Sequence, residues 1–220
     1  MSFIFIAFVI AILDWFAIAK GWQRVKYMAT PAVMAALLSW ITMNGGLQGP
    51  MRWFALGLLF SLFGDILLML PKGFFLAGVV SFALAQTTYT YGFNIEGIVI
   101  DIAVLILVII ISIMSYQILR QLSAGLNFRG LIELRIPVII YAILISLMLL
   151  SALVTFIRPG WRLSEAMLSS AGAMLFVISD SLLSWDRFVA PITNARTIVM
   201  VTYHLGQFGI ILGTGIHFLT

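Results

Sequence analysis

Eight long runs of hydrophobic residues follow one another along the chain, separated by short polar connections. Each run is about 20 residues long, the length that an α-helix needs to cross the hydrocarbon core of a bilayer. Strands of a membrane β-barrel would instead alternate in segments of about ten residues. The predicted helices are Ser2 to Ala19, Tyr27 to Met43, Trp53 to Leu70, Phe74 to Phe93, Gly97 to Leu119, Pro137 to Ile157, Leu163 to Trp185 and Thr197 to Phe218. We therefore expect an all-α polytopic membrane protein with eight transmembrane helices.

The composition limits the function to the membrane bundle itself. Of the 220 residues, 63% are hydrophobic and 9% are charged, whereas soluble domains have about 25% charged residues. Eight helices and their connections use the whole chain, so residues 1–220 form a single membrane domain. The absence of cysteine excludes disulfides, a thiolate nucleophile and cysteine-ligated metals.

The basic residues predict how the bundle is oriented. Nine lie in or beside the connections after helices one, three, five and seven, and three lie on the opposite side. Because lysine and arginine accumulate on the cytoplasmic side, both termini are expected outside the cytoplasm. The same placement explains the net charge of +4 without nucleic acid, and the expected location is the bacterial inner membrane. The nine are Lys20, Arg24, Lys26, Lys72, Arg120, Arg129, Arg135, Arg187 and Arg196, and the three are Arg52, Arg158 and Arg162.

Two segments of the chain match at an offset of 115 residues. At this offset Asp65 in LFSLFGDILLML pairs with Asp180 in LFVISDSLLSW, and Gly57 pairs with Gly172. Acidic residues are scarce within the predicted helices, so a shared register indicates duplication. We expect two parallel four-helix repeats, residues 1–96 and 97–220, related by an axis along the membrane normal. Both aspartates would then lie roughly 7 to 8 Å inside the cytoplasmic end of their helices and line one cavity.

Asp65 and Asp180 are the leading candidates for a functional site, because a carboxylate within a membrane costs several kcal/mol and usually marks one. The next helix of each half carries a polar pair at helical spacing, Gln86 with Tyr89 and Tyr203 with Gln207. Each pair alone is equally explained as a hydrogen-bonded contact between helices. The two aspartates and the two pairs together favour a site.

Two carboxylates in a cleft of low dielectric constant resist ionising together. A protonated acid can then donate a proton, while its ionised partner stabilises a cationic intermediate or activates water, as in glycosidases. No cofactor is expected. A metal held by Asp65, Asp180 and His204 is a less favoured alternative, because the usual histidine-rich ligand patterns are missing.

The segments LFSLFGDILLMLP, GVVSFALAQTTYTYGF, GAMLFVISDSLLSWDRF and TYHLGQFGIILG resemble the signature regions of the YhhN-like lysoplasmalogenase family. The resemblance covers essentially the whole chain. It implies an eight-helix membrane hydrolase that cleaves the vinyl ether bond of lysoplasmalogens to a fatty aldehyde and a glycerophospho-alcohol. The implied partners are a lysophospholipid substrate and membrane lipids.

On this resemblance, one of Asp65 and Asp180 is the general acid, and the other stabilises the oxocarbenium ion or activates water. Gln86, Tyr89, Tyr203 and Gln207 would orient the pair and the water. Lys72 and Arg187 lie seven residues beyond the aspartates and would hold the lipid phosphate. An equally good explanation is that these two cations only anchor their helices at the cytoplasmic face of the membrane, where basic residues accumulate.

The chain departs from the family pattern at two positions. Gln86 stands where family members often have histidine. Thr30 and Pro31 stand where family members frequently have a Lys-Pro pair. Glutamine is neither an acid nor a base at neutral pH. The departures leave three outcomes open: an inactive protein, an altered substrate, or reliance on the aspartates alone.

Two functions from other classes also fit an intramembrane acid pair. One is a proton-coupled transporter, and the other is a non-catalytic lipid-binding protein. Transporters often have helices broken by glycine or proline at the site. Here Pro71 and Pro137 fall at predicted helix ends and Pro31 in a predicted first turn, so the pattern favours the enzyme.

Overall fold

The computed structural model describes residues 2–70 and 72–219, without the side chains of Ser2 and Lys72. This part of the chain forms eight α-helices and no strand, so the predicted all-α fold is confirmed. Short 3-10 turns at Lys72–Phe74, Ile132–Leu134 and Thr155–Ile157 connect some of them. The helices are α1 (Ser2–Ala19), α2 (Gln23–Met43), α3 (Met51–Met69), α4 (Phe75–Phe93), α5 (Ile102–Phe128), α6 (Arg135–Val154), α7 (Leu163–Phe188) and α8 (Ala195–Leu219).

The chain is an integral membrane protein. Within the described ranges, six segments are long and apolar enough to cross a bilayer: α2, α3, α5, α7, α8 and the stretch Ile132–Ile157 that contains α6. The apolar part of α1, Phe3–Ala19, is slightly shorter. Helix α4 is less apolar because amide and hydroxyl side chains such as Gln86 interrupt it. Large apolar side chains cover the outer faces of the bundle, most densely on α5.

Helix α5 lies further along the chain than the prediction of Gly97 to Leu119. Gly97 has a φ of 113°, which ends the preceding turn, and the carboxylate of Asp101 accepts a hydrogen bond from the Ala103 amide at 2.7 Å. This N-cap sets the start of α5 at Ile102. The helix continues to Phe128, so Arg120 lies within it and not in a connection.

Helix α2 begins at Gln23, four residues before the predicted start at Tyr27. The expectation that Pro31 lies in a first turn was therefore wrong, because this proline is inside the helix. Proline lacks the N–H that would bond the carbonyl four residues earlier. The early start also places Lys26 on the helix and not in a connection. Pro71 lies outside the described residues.

The helices of the two halves pack in the same order. Helix α3 packs on α4 as α7 packs on α8, α2 packs on α3 as α6 packs on α7, and α1 packs on α2 as α5 packs on α6. The halves meet where α4 contacts α6 and where α8 contacts α1, α2 and α3. A parallel repeat requires this arrangement, while the duplication of residues 1–96 as 97–220 stays a prediction.

Helices α7 and α8 approach each other through glycines. The peptide N–H of Phe176 would lie only 2.9 Å from a Cβ atom placed on Gly206. A Cβ atom on Gly172 would lie 2.7 Å from the Gly206 carbonyl oxygen. Small residues that let backbones touch are the usual source of helix association in membranes, where van der Waals packing replaces the hydrophobic effect.

The two helices are also joined at the end far from Asp180. His217, near the end of α8, places Nδ1 2.9 Å from Oε2 of the buried Glu165 in the first turn of α7. The His217 ring stacks on Trp161 with 4.0 Å between ring centroids. This contact and the glycines fix α8 against α7 along most of its length.

We predict that Gly172→Ala destabilises the protein, because its methyl group would overlap the backbone of α8. The expected loss in the free energy of unfolding is about 1 to 3 kcal/mol, measured by denaturant unfolding in a neutral detergent. Gly73→Ala is the matched control, since a Cβ atom there meets nothing within 4 Å. Equal stability of the two variants would contradict backbone contact between α7 and α8.

Candidate active site in the membrane bundle

A cavity of about 390 Å³ lies between the halves, at the end of the bundle where α3 and α7 finish and α8 begins. Asp65 and Asp180 both line it, so the structure brings the two predicted acids into one space. Their distances from the helix ends are unequal, however. Asp65 lies about 6 Å before the end of α3 and Asp180 about 12 Å before the end of α7, because α7 continues to Phe188. The other polar residues that line the cavity are Lys26, Thr30, Tyr141, Ser179, Ser184, Asp186, Arg187, Arg196 and Tyr203.

Asp65 is almost completely buried, with 7% of its surface exposed. The Tyr203 hydroxyl of α8 donates a hydrogen bond of 3.0 Å to its Oδ2, so a residue of one half holds the acid of the other. Within the described part of the chain, Asp65 forms no salt bridge. Asp180 and a further buried carboxylate, Asp14, both lie within electrostatic reach of it.

Asp180 is half-buried on α7 and accepts a hydrogen bond at Oδ2 from the Tyr141 hydroxyl of α6. Each aspartate therefore has one tyrosine donor. Tyr141 was not among the site residues predicted from the sequence, although one signal was available. Tyr141 introduces a phenol into an otherwise aliphatic face of α6, on the helix that precedes the one carrying Asp180.

Two of the predicted residues, Tyr89 and Gln207, lie beneath the cavity and do not line it. The Tyr89 hydroxyl of α4 donates to Oε1 of Gln207 on α8 at 2.7 Å. Nε2 of Gln207 in turn donates to the hydroxyl of Ser61 at 2.9 Å. All three side chains are buried. Ser61 was missed from the sequence, but it lies one helical turn before Asp65.

Gln86 is fully buried on α4 and faces Tyr141. Neither its amide oxygen nor its amide nitrogen forms a hydrogen bond of ordinary geometry within the described residues. Gln86 therefore adjoins Tyr141, and within the described residues it forms no hydrogen bond to either aspartate. Its predicted partner at helical spacing, Tyr89, instead bonds α8.

One of the two predicted cations lines the cavity, and two further cations line it as well. Arg187 lines the cavity, and its guanidinium carbon lies 3.7 Å from the centroid of the Phe75 ring, a cation–π contact that fixes the side chain. The side chain of Lys72 lies outside the described residues. Lys26 and Arg196, which the sequence analysis assigned only to orientation, also line the cavity.

Asp14 and His204 have other partners. Asp14 is fully buried, and Thr30 donates to its Oδ1 at 2.9 Å. His204 turns away from the cavity and accepts a hydrogen bond at Nδ1 from Trp15 at 3.0 Å. His204 is therefore not placed to share a metal with Asp65 and Asp180, and the described residues contain no group of three potential metal ligands.

We predict that Gln207→Leu destabilises the protein, because it leaves the hydroxyls of Tyr89 and Ser61 buried without this partner. Unsatisfied buried groups cost about 1 to 3 kcal/mol each. The free energy of unfolding in detergent should fall by that order, whereas Gln117→Leu on the exposed face of α5 should change it little. A similar effect of both variants would mean that the Tyr89–Gln207 contact does not join the halves.

Comparison with known proteins agrees with this architecture. Residues 25–214 match the model of the YhhN family. Lysoplasmalogenase TMEM86B from Rattus norvegicus is 28% identical over 189 residues, which cover 85% of this chain and 71% of the relative. The protein of the same name from Sus scrofa is 31% identical over 156 residues, or 68% of this chain and 58% of the relative.

Lysoplasmalogenase TMEM86A from Bos taurus is 28% identical over 159 residues, or 71% of this chain and 62% of the relative. No solved structure shows a significant match. The family match spans most of the chain and includes every predicted site residue, so the resemblance seen in the sequence is confirmed: the protein belongs to the YhhN family.

Proposed function

We propose that this protein is a lysoplasmalogenase that hydrolyses the vinyl ether bond of an alkenyl lysophospholipid. The observation that carries the proposal is the shared cavity of Asp65 and Asp180, in which each acid has its own tyrosine donor. The names of the relatives support the substrate class. Of the helices around the site, only α2 has a proline beyond its first turn, Pro31. The helix α2 is nevertheless continuous, like α3, α4, α7 and α8, which favours an enzyme over a transporter with broken helices.

Asp65 is the proposed general acid. A carboxylate that is removed from water costs several kcal/mol unless a cation or several donors compensate, and Asp65 is buried with a single described donor, Tyr203. The neutral form is therefore the less costly one at this position. Asp65 would transfer its proton to the vinyl carbon that is not bonded to oxygen, and this step leaves an oxocarbenium ion at the other vinyl carbon.

Asp180 is the proposed ionised partner. Its greater exposure to the cavity and the Tyr141 hydroxyl bond stabilise a carboxylate, whose charge faces the developing cation. Asp180 would then accept a proton from the water that attacks the oxocarbenium carbon, and a hemiacetal results. In the collapse of the hemiacetal to the fatty aldehyde, its hydroxyl group loses a proton, the C–O bond to glycerol breaks, and the glycerol oxygen takes up a proton. One water is consumed and both carboxyl groups regain their starting forms after proton exchange between them or with the cavity.

The remaining predicted residues would act by position and by binding. Tyr203 orients Asp65 directly, while Gln207 and Tyr89 hold the α4 and α8 backbones around it. Gln86 would support Tyr141 from behind. We assign the binding of the lipid phosphate to Arg187 and, on sequence position, to Lys72.

We infer that the cavity opens at the cytoplasmic face of a bacterial inner membrane and that both termini lie on the other side. The support is the concentration of basic residues at the cavity end, including Lys20, Arg24, Arg187 and Arg196. The even number of helices returns the chain to the side where it starts, and α8 runs from the cavity to the opposite end.

The substitutions Asp65→Asn and Asp180→Asn should each reduce aldehyde release from a lysoplasmalogen by at least about a hundredfold, because general acid–base catalysis contributes roughly that factor or more. Asp101→Asn is the matched control, since asparagine also caps helices and Asp101 lies at the other end of the bundle. Release would be measured with purified protein in detergent by coupled aldehyde oxidation.

The same assay in D₂O tests the chemistry. Proton transfer to carbon should leave one deuterium beside the aldehyde carbonyl, and unlabelled aldehyde kept with an inactive variant corrects for exchange. Aldehyde release that survives both aspartate substitutions would refute the proposed roles. A lack of release by the unmodified protein would refute the proposed function.

The orientation predicts that alkaline phosphatase fused after residue 219 is active in bacterial cells, because this enzyme needs the oxidising periplasm. A fusion in the connection after α7, near Thr193, should be inactive. The reverse pattern would place the cavity on the periplasmic side.

A further inference from the structure

We propose that Lys26 and Arg196 complete, with Arg187, a binding site for the phosphate of the substrate, and that Lys26 is its central ligand. The inference rests on the proposed function, because it concerns the same cavity. It adds to Arg187 two cations that line the same cavity. The ligand class is a phosphate diester on a single-chain lipid.

The first support is the unusual state of Lys26. This side chain is 4% exposed and lines the cavity. Its ammonium group has no hydrogen-bond partner and no salt bridge within the described residues. The Tyr27 ring, at 5.6 Å from Nζ, is a weak substitute. An ammonium group buried without an anion is costly, so this lysine is arranged for a negative ligand that enters the cavity.

The acids of the cavity do not supply that anion. Asp65 and Asp180 are held by Tyr203 and Tyr141, and neither forms a salt bridge with Lys26. Asp186 also lines the cavity, but its Oδ1 accepts a hydrogen bond from the Ile192 amide at 2.8 Å. Lys26 and Tyr141 are 115 residues apart, the offset of the two aspartates. Tyr141 donates a hydrogen bond to Asp180, whereas Lys26, at the matching position of the other half, has no hydrogen-bond partner within the described residues.

The second support is the pair of arginines at the mouth of the cavity. Arg187 and Arg196 are exposed and line the same space as Lys26. Arg187 stacks on Phe75 through the face of its guanidinium group, and its N–H groups form no hydrogen bond within the described part of the chain. They can therefore bind phosphate oxygens. Arg196 lies in the first turn of α8, where the helix dipole also favours an anion. Two exposed guanidinium groups and one buried ammonium group around the same cavity match the negative charge of a phosphate.

Binding of unreactive lipids tests the proposal without turnover. The probes are a saturated 1-O-alkyl lysophospholipid and a 1-O-alkylglycerol of the same chain length, which lacks only the phosphate and its head group. Binding would be measured in a maltoside detergent that contains no phosphate. The unmodified protein should bind the lysophospholipid at least about tenfold more tightly than the alkylglycerol.

The variant Lys26→Met should bind the lysophospholipid about ten- to a hundredfold more weakly, as expected when a buried charge partner is truncated. It should bind the alkylglycerol unchanged. Lys20→Met removes an exposed charge from the same end of the bundle, outside the cavity, and should affect neither probe. Equal losses for both probes, or no loss, would overturn the proposal.

Thermal unfolding without lipid provides a second test, in which Lys26→Met should improve stability although it weakens binding of the lysophospholipid. Because Lys26→Met removes a buried ammonium group without a partner, the empty variant should be more stable, with a Tm higher by about 2 to 4 °C. The increase in Tm that the lysophospholipid gives to the unmodified protein should disappear. An empty variant that is less stable would mean that Lys26 has a structural role and would overturn the inference.

Two further outcomes separate the possible failures. Lys26-dependent binding of the lysophospholipid, without aldehyde release from a lysoplasmalogen, would refute the proposed function and leave the phosphate site standing. A diacyl phospholipid that competes equally well, and also depends on Lys26, would show that the site binds the surrounding bilayer. That result would overturn the assignment to the substrate.

Discussion

Two carboxyl groups share a small cavity inside a membrane bundle, and each is held by one tyrosine hydroxyl without a cation in salt-bridge distance among the described residues. Burial of this kind is tolerated only where the surroundings fix the protonation and the hydrogen bonds of both groups. Most of the structure around the site serves that constraint. Helix α8 supplies the donor to Asp65, α6 supplies the donor to Asp180, and the Tyr89, Gln207 and Ser61 bonds hold α4, α8 and α3 together below them.

The tight contact of α7 with α8 helps to fix the hydrogen bonds of both carboxyl groups. The backbones of these helices touch through Gly172 and Gly206, so Tyr203 and Asp180 are carried on a single rigid unit. A side chain between the helices would move α8 outward and with it the hydroxyl that bonds Asp65. The glycine paired with Gly172 at the 115-residue offset, Gly57, instead makes room for the ring of Tyr89. Matching positions in the two halves are therefore used differently, once for backbone contact and once for an aromatic side chain.

Much of this arrangement was predictable from the sequence. The length of a hydrophobic run is enough to predict a membrane helix. All eight predicted helices are present, and α1 has the predicted bounds. Scarce acids in a shared register correctly indicated that Asp65 and Asp180 lie together. The errors have local causes. The hydrophobic pattern carries no information on an N-capping carboxylate, so it predicts a start of α5 at Gly97 instead of Ile102. It also gives little weight to a polar first turn, so it predicts a start of α2 after Lys26.

Tertiary partners were the least predictable part. Asp14 lies close in sequence to Lys20 and Arg24, but it is buried and accepts a hydrogen bond from Thr30, because α1 and α2 pack with these faces together. Tyr141 and Lys26 share the 115-residue offset, but this register does not by itself show what either side chain contacts. Their importance depends on which helices surround the cavity, and that is a property of the assembled bundle.

The size of the cavity bears on where the products go. About 390 Å³ is at the low end for small-molecule sites and accommodates a glycerophosphate group with the first carbons of a chain. On the proposed function, the rest of the substrate chain would stay among the acyl tails of the bilayer, so the cost of moving each methylene into water, about 0.8 kcal/mol, would not arise. After cleavage the aldehyde would remain in the lipid phase, whereas the polar fragment would face the aqueous opening. The two products would then separate into different solvents as the bond breaks, which would suppress their recombination.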